Sequence, residues 1–250
     1  MNSILRTENL GKYFGGMAAV HDVSLNFQRE VLTSIIGPNG AGKTTLINLL
    51  SGYLLPDKGR IFFQETEITR WEPNRRVKMG ISRSFQVMNI FPRMSVFENI
   101  LLPVLSRMNK TRRPFSSLQN QKEAIAEAEK ILQEVWLWEE RLDPAGQMSH
   151  GDQRLLELGI AVAARPTLCF LDEPSSGMNP IERIKVLELV KKLSAESKTT
   201  FVIVEHDMDV VFSLSDWIVV MNRGEILAEG KPDEIRNNQE VRDVYLGEEI

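Results

Sequence analysis

The run Gly37-Pro38-Asn39-Gly40-Ala41-Gly42-Lys43-Thr44-Thr45 constrains this chain more than any other stretch. It follows the apolar residues Val31-Leu32-Thr33-Ser34-Ile35-Ile36 and leads into Leu46-Ile47-Asn48-Leu49-Leu50, so the order is strand, glycine-rich turn, helix. A turn of this kind can point several backbone N–H groups inward at the positive end of a helix, which is what a dense polyanion such as a triphosphate requires. The glycines at 37, 40 and 42 permit the turn. Lys43 adds a mobile cation for the β and γ phosphates, and the Thr44 hydroxyl can ligate a Mg2+ ion that bridges the same oxygens. Asn39, Gly40, Gly42, Lys43, Thr44 and Thr45 are therefore the expected nucleotide contacts. A glycine turn that merely caps a helix accounts for the glycines and leaves the Lys-Thr pair unexplained.

With 250 residues, 42% of them hydrophobic, the chain can bury a full core as one large domain with a subdomain. Its apolar stretches are much shorter than a membrane span, and Met1-Asn2-Ser3-Ile4-Leu5-Arg6 has no apolar signal core, so a soluble cytoplasmic protein is expected. A net charge of −4 argues against a nucleic-acid partner, whose phosphates demand a basic surface. The single cysteine, Cys169, sits in the apolar run Leu168-Cys169-Phe170-Leu171 and is expected to pack as a small hydrophobe.

Ile4–Leu10 and Val20–Phe27 alternate as strands about a Gly15-Gly16 turn, which predicts an antiparallel hairpin. Phe14, just before that turn, is suited either to stacking on an adenine ring or to the hairpin's own core. Gly59–Phe63 reads as extended, Pro73–Met79 as a short helix, and Ile81–Phe85 as a strand ending at Gln86. Helices are then predicted for Val96–Leu102 and Gln121–Trp138, with the basic stretch Ser106–Ser117 between them as a loop. Lys110, Arg112 and Arg113 in that loop read as a solvated face, with lipid head groups or a membrane partner as the alternative. Ser149 is positioned to cap a further helix that begins Met148-Ser149-His150-Gly151-Asp152.

The buried run Leu168–Leu171 ends in Asp172-Glu173, two carboxylates at the strand edge where open α/β sheets bind ligands. Successive strand side chains diverge, so Asp172 can hold Mg2+ through water while Glu173 faces the water that attacks the γ-phosphate. A helix from Pro180 to Ser197 follows. The strand Thr200–Val204 then delivers Glu205-His206-Asp207 to the same edge, where the His206 imidazole can hydrogen-bond the γ-phosphate.

With these segments in place the chain resembles an ATP-binding cassette subunit along essentially its full length. Gly37–Thr44 is similar to the Walker A loop, Asp172-Glu173 to the Walker B pair, and Met148–Asp152 to the signature sequence. Phe14 resembles the adenine-stacking aromatic, Gln86 the glutamine-loop residue, Ser176-Gly177-Met178-Asn179 the D-loop and His206 the switch histidine. The resemblance implies an α/β P-loop NTPase (RecA-like) core sheet with an N-terminal antiparallel β subdomain and an inserted α-helical signature subdomain. The core would comprise approximately 1–86 and 165–250, and the helical subdomain approximately 87–164. It further implies ATP and Mg2+ as ligands. Glu173, His206, Lys43 and Gln86 would carry catalysis, Thr44, Gln86 and Asp172 would serve the metal, and Ser149 and Gly151 would bind phosphate. His150, Asp152 and Asn179 depart from the usual pattern, which has glycine, glutamine and aspartate there.

Arg83-Ser84-Phe85-Gln86, Phe91-Pro92-Arg93-Met94-Ser95-Val96, Glu205-His206-Asp207-Met208 and Val244-Tyr245-Leu246-Gly247-Glu248 resemble the ATPases of branched-chain amino acid importers, and the Ser-His-Gly signature variant is similar to the urea-importer branch. That resemblance implies two membrane permeases, a second ATPase of the same or a different sequence, and an indirect periplasmic or extracellular solute-binding partner. The protein would then sit on the cytoplasmic face of the membrane, held there by the permease. The alternatives are an exporter ATPase of the lipopolysaccharide-transport type, which shares the tail, and a non-transport ABC ATPase. Met88, Ile90, Phe91 and Met94 are suited to receiving a permease helix or to filling the insert's own core.

Overall fold

The computed structural model describes residues 3–83, 90–108 and 121–246. In chain order the elements are β1 (Ser3–Phe14), β2 (Met17–Val23), β3 (Asn26–Gln28), β4 (Thr33–Ile36), α1 (Lys43–Ser51), β5 (Lys58–Phe63), β6 (Thr66–Glu67), α2 (Pro73–Lys78), β7 (Ile81–Arg83), α3 (Val96–Arg107), α4 (Lys122–Glu134) and α5 (His150–Ala163). They continue with β8 (Leu168–Asp172), α6 (Pro180–Glu196), β9 (Thr200–Val204), α7 (Met208–Leu214), β10 (Trp217–Asn222), β11 (Glu225–Gly230), α8 (Pro232–Arg236) and α9 (Gln239–Leu246). The chain divides into two compact units, one of residues 1–83, 167–174 and 193–250, the other of residues 84–166 and 175–192.

Two sheets build the first unit. One is antiparallel, in the order β2-β1-β5-β6 with β3 also on β1; the other runs β11-β10-β4-β9-β8-β7. In the second sheet β10, β4, β9, β8 and β7 are mutually parallel and β11 joins the edge antiparallel. The parallel strands β4, β8 and β9 are buried throughout, in keeping with their largely apolar side chains, the polar exceptions lying at their ends or in β4. The core includes Ile35, Leu46, Leu49, Phe63, Phe170, Val202 and Val219.

The predicted hairpin is present, with its strands extended to meet Gly15-Gly16, both at positive φ. The second strand breaks in two. Val20–Phe27 does not run as one piece: the strand ends at Val23 and resumes at Asn26, with the Leu25 N–H turned onto the Thr7 hydroxyl at 2.9 Å between them, and Asp22 at a φ of 50° just before the end. Cys169 is fully buried and burial pushes its thiol up to about 12, so it packs as a hydrophobe and not as a reactive group.

One buried charge braces α1 from behind. Arg76 is 1% exposed, and its guanidinium donates to five backbone carbonyls: Leu49 and Leu50 at the C-terminal end of α1, and Ile68, Thr69 and Trp71. Desolvation lowers its pKa to about 10, which still leaves it charged at neutral pH. Arg76→Met removes these donors; the Leu49 and Ile68 carbonyls keep the Gly52 and Trp71 N–H groups, and the other three lose their guanidinium partner. The expected loss of unfolding free energy is roughly 2–4 kcal/mol, measured by urea denaturation.

Helices α3, α4 and α5, with the first part of α6, build the second unit, and Val96, Ile100, Val104, Ala128, Leu132 and Leu155 are buried in it. A Ser95/Glu98 capping box starts α3. That helix runs through Arg107, so the expected loop at Ser106 begins later than its polar composition suggests. Lys110, Arg112 and Arg113 lie outside the described residues. Helix α4 ends at Glu134, short of the expected Trp138, because Trp136 takes a left-handed φ of 60°. The predicted strand through Phe85 is described as far as Arg83; Gln86 and Met88 also lie outside the described residues.

Candidate nucleotide site

Register places the chemistry along one edge of the parallel sheet. Ile35 of β4 pairs with Val204 of β9, and Val204 pairs with Asp172 of β8, so three adjacent strands finish level. The phosphate loop leaves the first, His206 follows the second, and Asp172-Glu173 ends the third. Two strand spacings, about 10 Å, separate the loop from the carboxylates, which leaves room for phosphates and a hydrated cation between them.

The loop itself is held from three directions. Gly42 has a φ of 100°, and a Cβ there would stand 2.2 Å from the carbonyl oxygen of Ala19 on β2, so no other residue fits. The Gly224 N–H, in the β10–β11 turn, donates to the Ala41 carbonyl at 3.0 Å, and the Gly224 carbonyl accepts from His21 of β2. The Lys43 ammonium bends back to donate to the carbonyls of Gly37 and Pro38, the latter at 3.0 Å. A cavity of about 500 Å3 beside the loop is lined by Pro38–Ala41, Asn222, Arg223, Asp243 and Val244.

Nucleotide phosphate fits the start of α1 on three counts. Its N-cap is Gly42, which makes no side-chain hydrogen bond to the helix; its first turn holds no acidic residue; and Thr44 is exposed there. Among the described residues no group of three or more His, Cys, Asp or Glu is arranged to hold a metal ion. The donors beside the loop, the Thr44 hydroxyl and the Asp172 carboxylate, are hard oxygens of the kind a Mg2+ ion takes.

Glu173 stands at a φ of 47°, a left-handed backbone that non-glycine residues adopt at a cost, and its N–H is fixed to the Val204 carbonyl at 2.9 Å. It is partly exposed, whereas Asp172 is 2% exposed. His206 is exposed, and Asp207 beside it caps α7 by accepting from the Val210 N–H at 3.1 Å. Phe14 is 49% exposed at the end of β1, with the Lys12 ammonium 5.6 Å from its ring centre, so it is not a core residue of the hairpin. Its neighbour Tyr13 instead bonds the His21 ring at 3.1 Å.

In the second unit, Ser149 caps α5 as its sequence predicts, accepting from the Asp152 N–H at 3.1 Å. The Asp152 departure acquires two partners: the Ser149 hydroxyl donates to one of its oxygens at 2.8 Å and the Lys185 ammonium meets the other at 3.1 Å. Gly151 is overlaid by Glu182 of α6, whose Cγ would lie 2.7 Å from any Cβ. Asn179, the other departure, caps α6 by accepting from the Ile181 and Glu182 N–H groups at 3.0 Å each. Sequence reasoning gave no role to Arg83, Lys185 or the Asn222-Arg223-Gly224 turn. For the turn a signal existed, the Asn222-Arg223-Gly224 run between two apolar stretches.

A phosphate loop between level strand ends, with paired carboxylates two strands away, defines a P-loop nucleotide hydrolase. The ABC transporter family matches residues 20–176, and the family described as branched-chain amino acid ATP-binding cassette transporter matches residues 225–250. The high-affinity branched-chain amino acid transport ATP-binding protein LivG of Salmonella typhimurium is 38% identical over 98% of both chains. A solved ATP-binding cassette of an ABC transporter in its ADP conformation superposes with a TM-score of 0.85, at 35% identity, over 99% of this chain and 100% of that one. A dimeric cassette in a post-hydrolysis state, bound to ADP and phosphate, superposes with a TM-score of 0.76 at 26% identity, over 92% and 99%. The chain belongs to the ABC transporter family, as an ATP-hydrolysing cassette.

Proposed function

We propose that this chain powers an importer of branched-chain amino acids or of a related small polar solute such as urea. The observation that carries the reading is the match of its C-terminal residues 225–250 to the branched-chain amino acid cassette family, added to a full-length likeness to LivG. No helix among the described residues is long and apolar enough to cross a membrane, so the path for solute would belong to permease partners. Purification from detergent-solubilised membranes tests this. Two permeases and a second, different ATPase should accompany the chain; an exporter's partners instead would overturn the import reading.

In the reaction, Phe14 stacks on the adenine, and the N–H groups of the loop from Asn39 to Thr45 bind the phosphates, with Lys43 exchanging its loop carbonyls for phosphate oxygens. Mg2+, when bound, neutralises charge on the β and γ phosphates. Thr44, Asp172 and Gln86 would hold it. Glu173 orients and polarises the attacking water, and His206 supports the γ-phosphate. The partner cassette's Ser149 and Gly151 close the site from the opposite side.

Coupling to the permease falls to the segment before α3. Asn99, 1% exposed, accepts from the Phe91 N–H at 2.7 Å and donates to its carbonyl at 3.1 Å, while the Phe91 side chain is 56% exposed. A rigid backbone thus presents an apolar ring outward. Phe91→Asp should uncouple transport in reconstituted vesicles and leave the isolated subunit's ATPase within about twofold of normal, because a surface substitution costs little stability. Loss of the fold in this variant would assign the ring to the core.

A further inference from the structure

We propose that Arg83 is a positioning residue for the metal-site carboxylate: it holds Asp172 by one oxygen and ties it to the helix that carries Thr44. This rests on the reading of Asp172 as a Mg2+ carboxylate given above. Arg83 ends β7 and Asp172 ends β8, neighbouring parallel strands. One guanidinium nitrogen, Nη2, donates to Asp172 Oδ2 at 3.0 Å, with the two side chains only 8% and 3% exposed. The other, Nη1, donates to Asn48 Oδ1 and, at 3.2 Å, to Ser51 Oγ, both on α1. The Tyr53 ring, its centre 5.6 Å from the guanidinium carbon, lies alongside.

Asn48 is one helical turn beyond Thr44 and shares its face of α1. A single planar group therefore links the helix bearing the metal's hydroxyl to the strand bearing its carboxylate. The fork of arginine suits this, since two nitrogens in a fixed plane set both an orientation and a separation; lysine offers a charge without that geometry. The guanidinium takes Oδ2, and Oδ1 is the oxygen left for the water shell of a cation. A second possibility, that Arg83 simply competes with the cation for Asp172, predicts the opposite sign. If Arg83 positions, removing it weakens Mg2+ binding; if it competes, removing it tightens Mg2+ binding.

The test uses the full chain and a fluorescent ATP analogue, titrated with Mg2+ and, separately, in EDTA. Arg83→Met should raise the Mg2+ concentration for half-maximal binding by about tenfold, the usual scale for a group supporting a metal ligand. Binding in EDTA should not change. Arg83→Lys should fall between, and it carries the test if Arg83→Met does not fold. Asp172→Asn should abolish the Mg2+-dependent increment, and adding Arg83→Met to it should produce no further shift. Tighter Mg2+ binding by Arg83→Met, equal weakening in EDTA, or additivity with Asp172→Asn would each overturn the proposal. If Asp172→Asn alone leaves the Mg2+ dependence intact, the metal role of Asp172 itself fails, a result distinct from an inert Arg83 beside a functional Asp172.

Discussion

Glu173→Gln should cut ATP turnover by about 10²–10⁴ while ATP binding survives, the range expected when a positioned general base is lost. The substitution keeps the side chain's shape and removes only the carboxylate's charge and basicity. Two features make this position tolerant of the swap. Glu173 follows β8 outside the buried strand, so the amide meets no packing conflict, and the backbone feature that fixes it, the N–H to Val204, does not involve the side chain. Its unusual φ of 47° is likewise unaffected, since glutamine and glutamate share backbone preferences. Single-turnover hydrolysis and equilibrium binding of ATP, measured on the same preparation, separate the two effects. An undiminished rate would pass the role of base to another residue, with His206 first in line.

The parts of this site that are contiguous in the chain are legible from sequence, and the parts assembled from distant residues are not. The phosphate loop announces itself because strand, glycines, Lys43 and helix follow one another directly, and the loop's backbone geometry is set by those residues. Asp172-Glu173 is legible for a similar reason, since the apolar run before it fixes a buried strand and hence the edge at which the acids emerge. Arg83 is different. Its partners Asn48, Ser51 and Asp172 lie 35, 32 and 89 residues away, and although Arg83 opens the Arg83-Ser84-Phe85-Gln86 run, nothing in that run says what its guanidinium holds. Arg76 is harder still, because its partners are backbone carbonyls, which have no sequence identity at all. Asp152 and Asn179 show a third case. They look like losses against the family pattern, yet each finds partners: Ser149 three residues before it and Lys185 across on α6 for Asp152, and the first N–H groups of α6 for Asn179. Where sequence overran, apolar periodicity continued past a break the backbone makes: at Trp138 past the left-handed Trp136, and in the single strand Val20–Phe27 past Leu25, whose N–H leaves the ladder for the Thr7 hydroxyl.

Mixing a Lys43→Ala chain with a Ser149→Arg chain, each inactive alone, should restore ATPase activity. The expectation follows from how the two phosphate-binding halves are built. The start of α1 is a site for anions that no side chain of its own caps. Ser149, by contrast, is an exposed hydroxyl at the start of α5, backed by a carboxylate whose charge Lys185 offsets. Two chains facing head to tail would place one ATP between each loop and the opposing Ser149, so that ATP is an interface ligand and its hydrolysis releases the closed pair. In a two-fold pair each chain supplies both patches, so a mixed pair has one site with both lesions and one with neither. At equal mixing, random pairing gives about a quarter of all sites intact, and roughly that share of wild-type activity is expected. Since the native partner is expected to be a second ATPase, the pairing is best forced with a fused dimerisation segment. Mixed pairs that form and bind ATP yet hydrolyse no faster than either parent would show that each chain completes its own site.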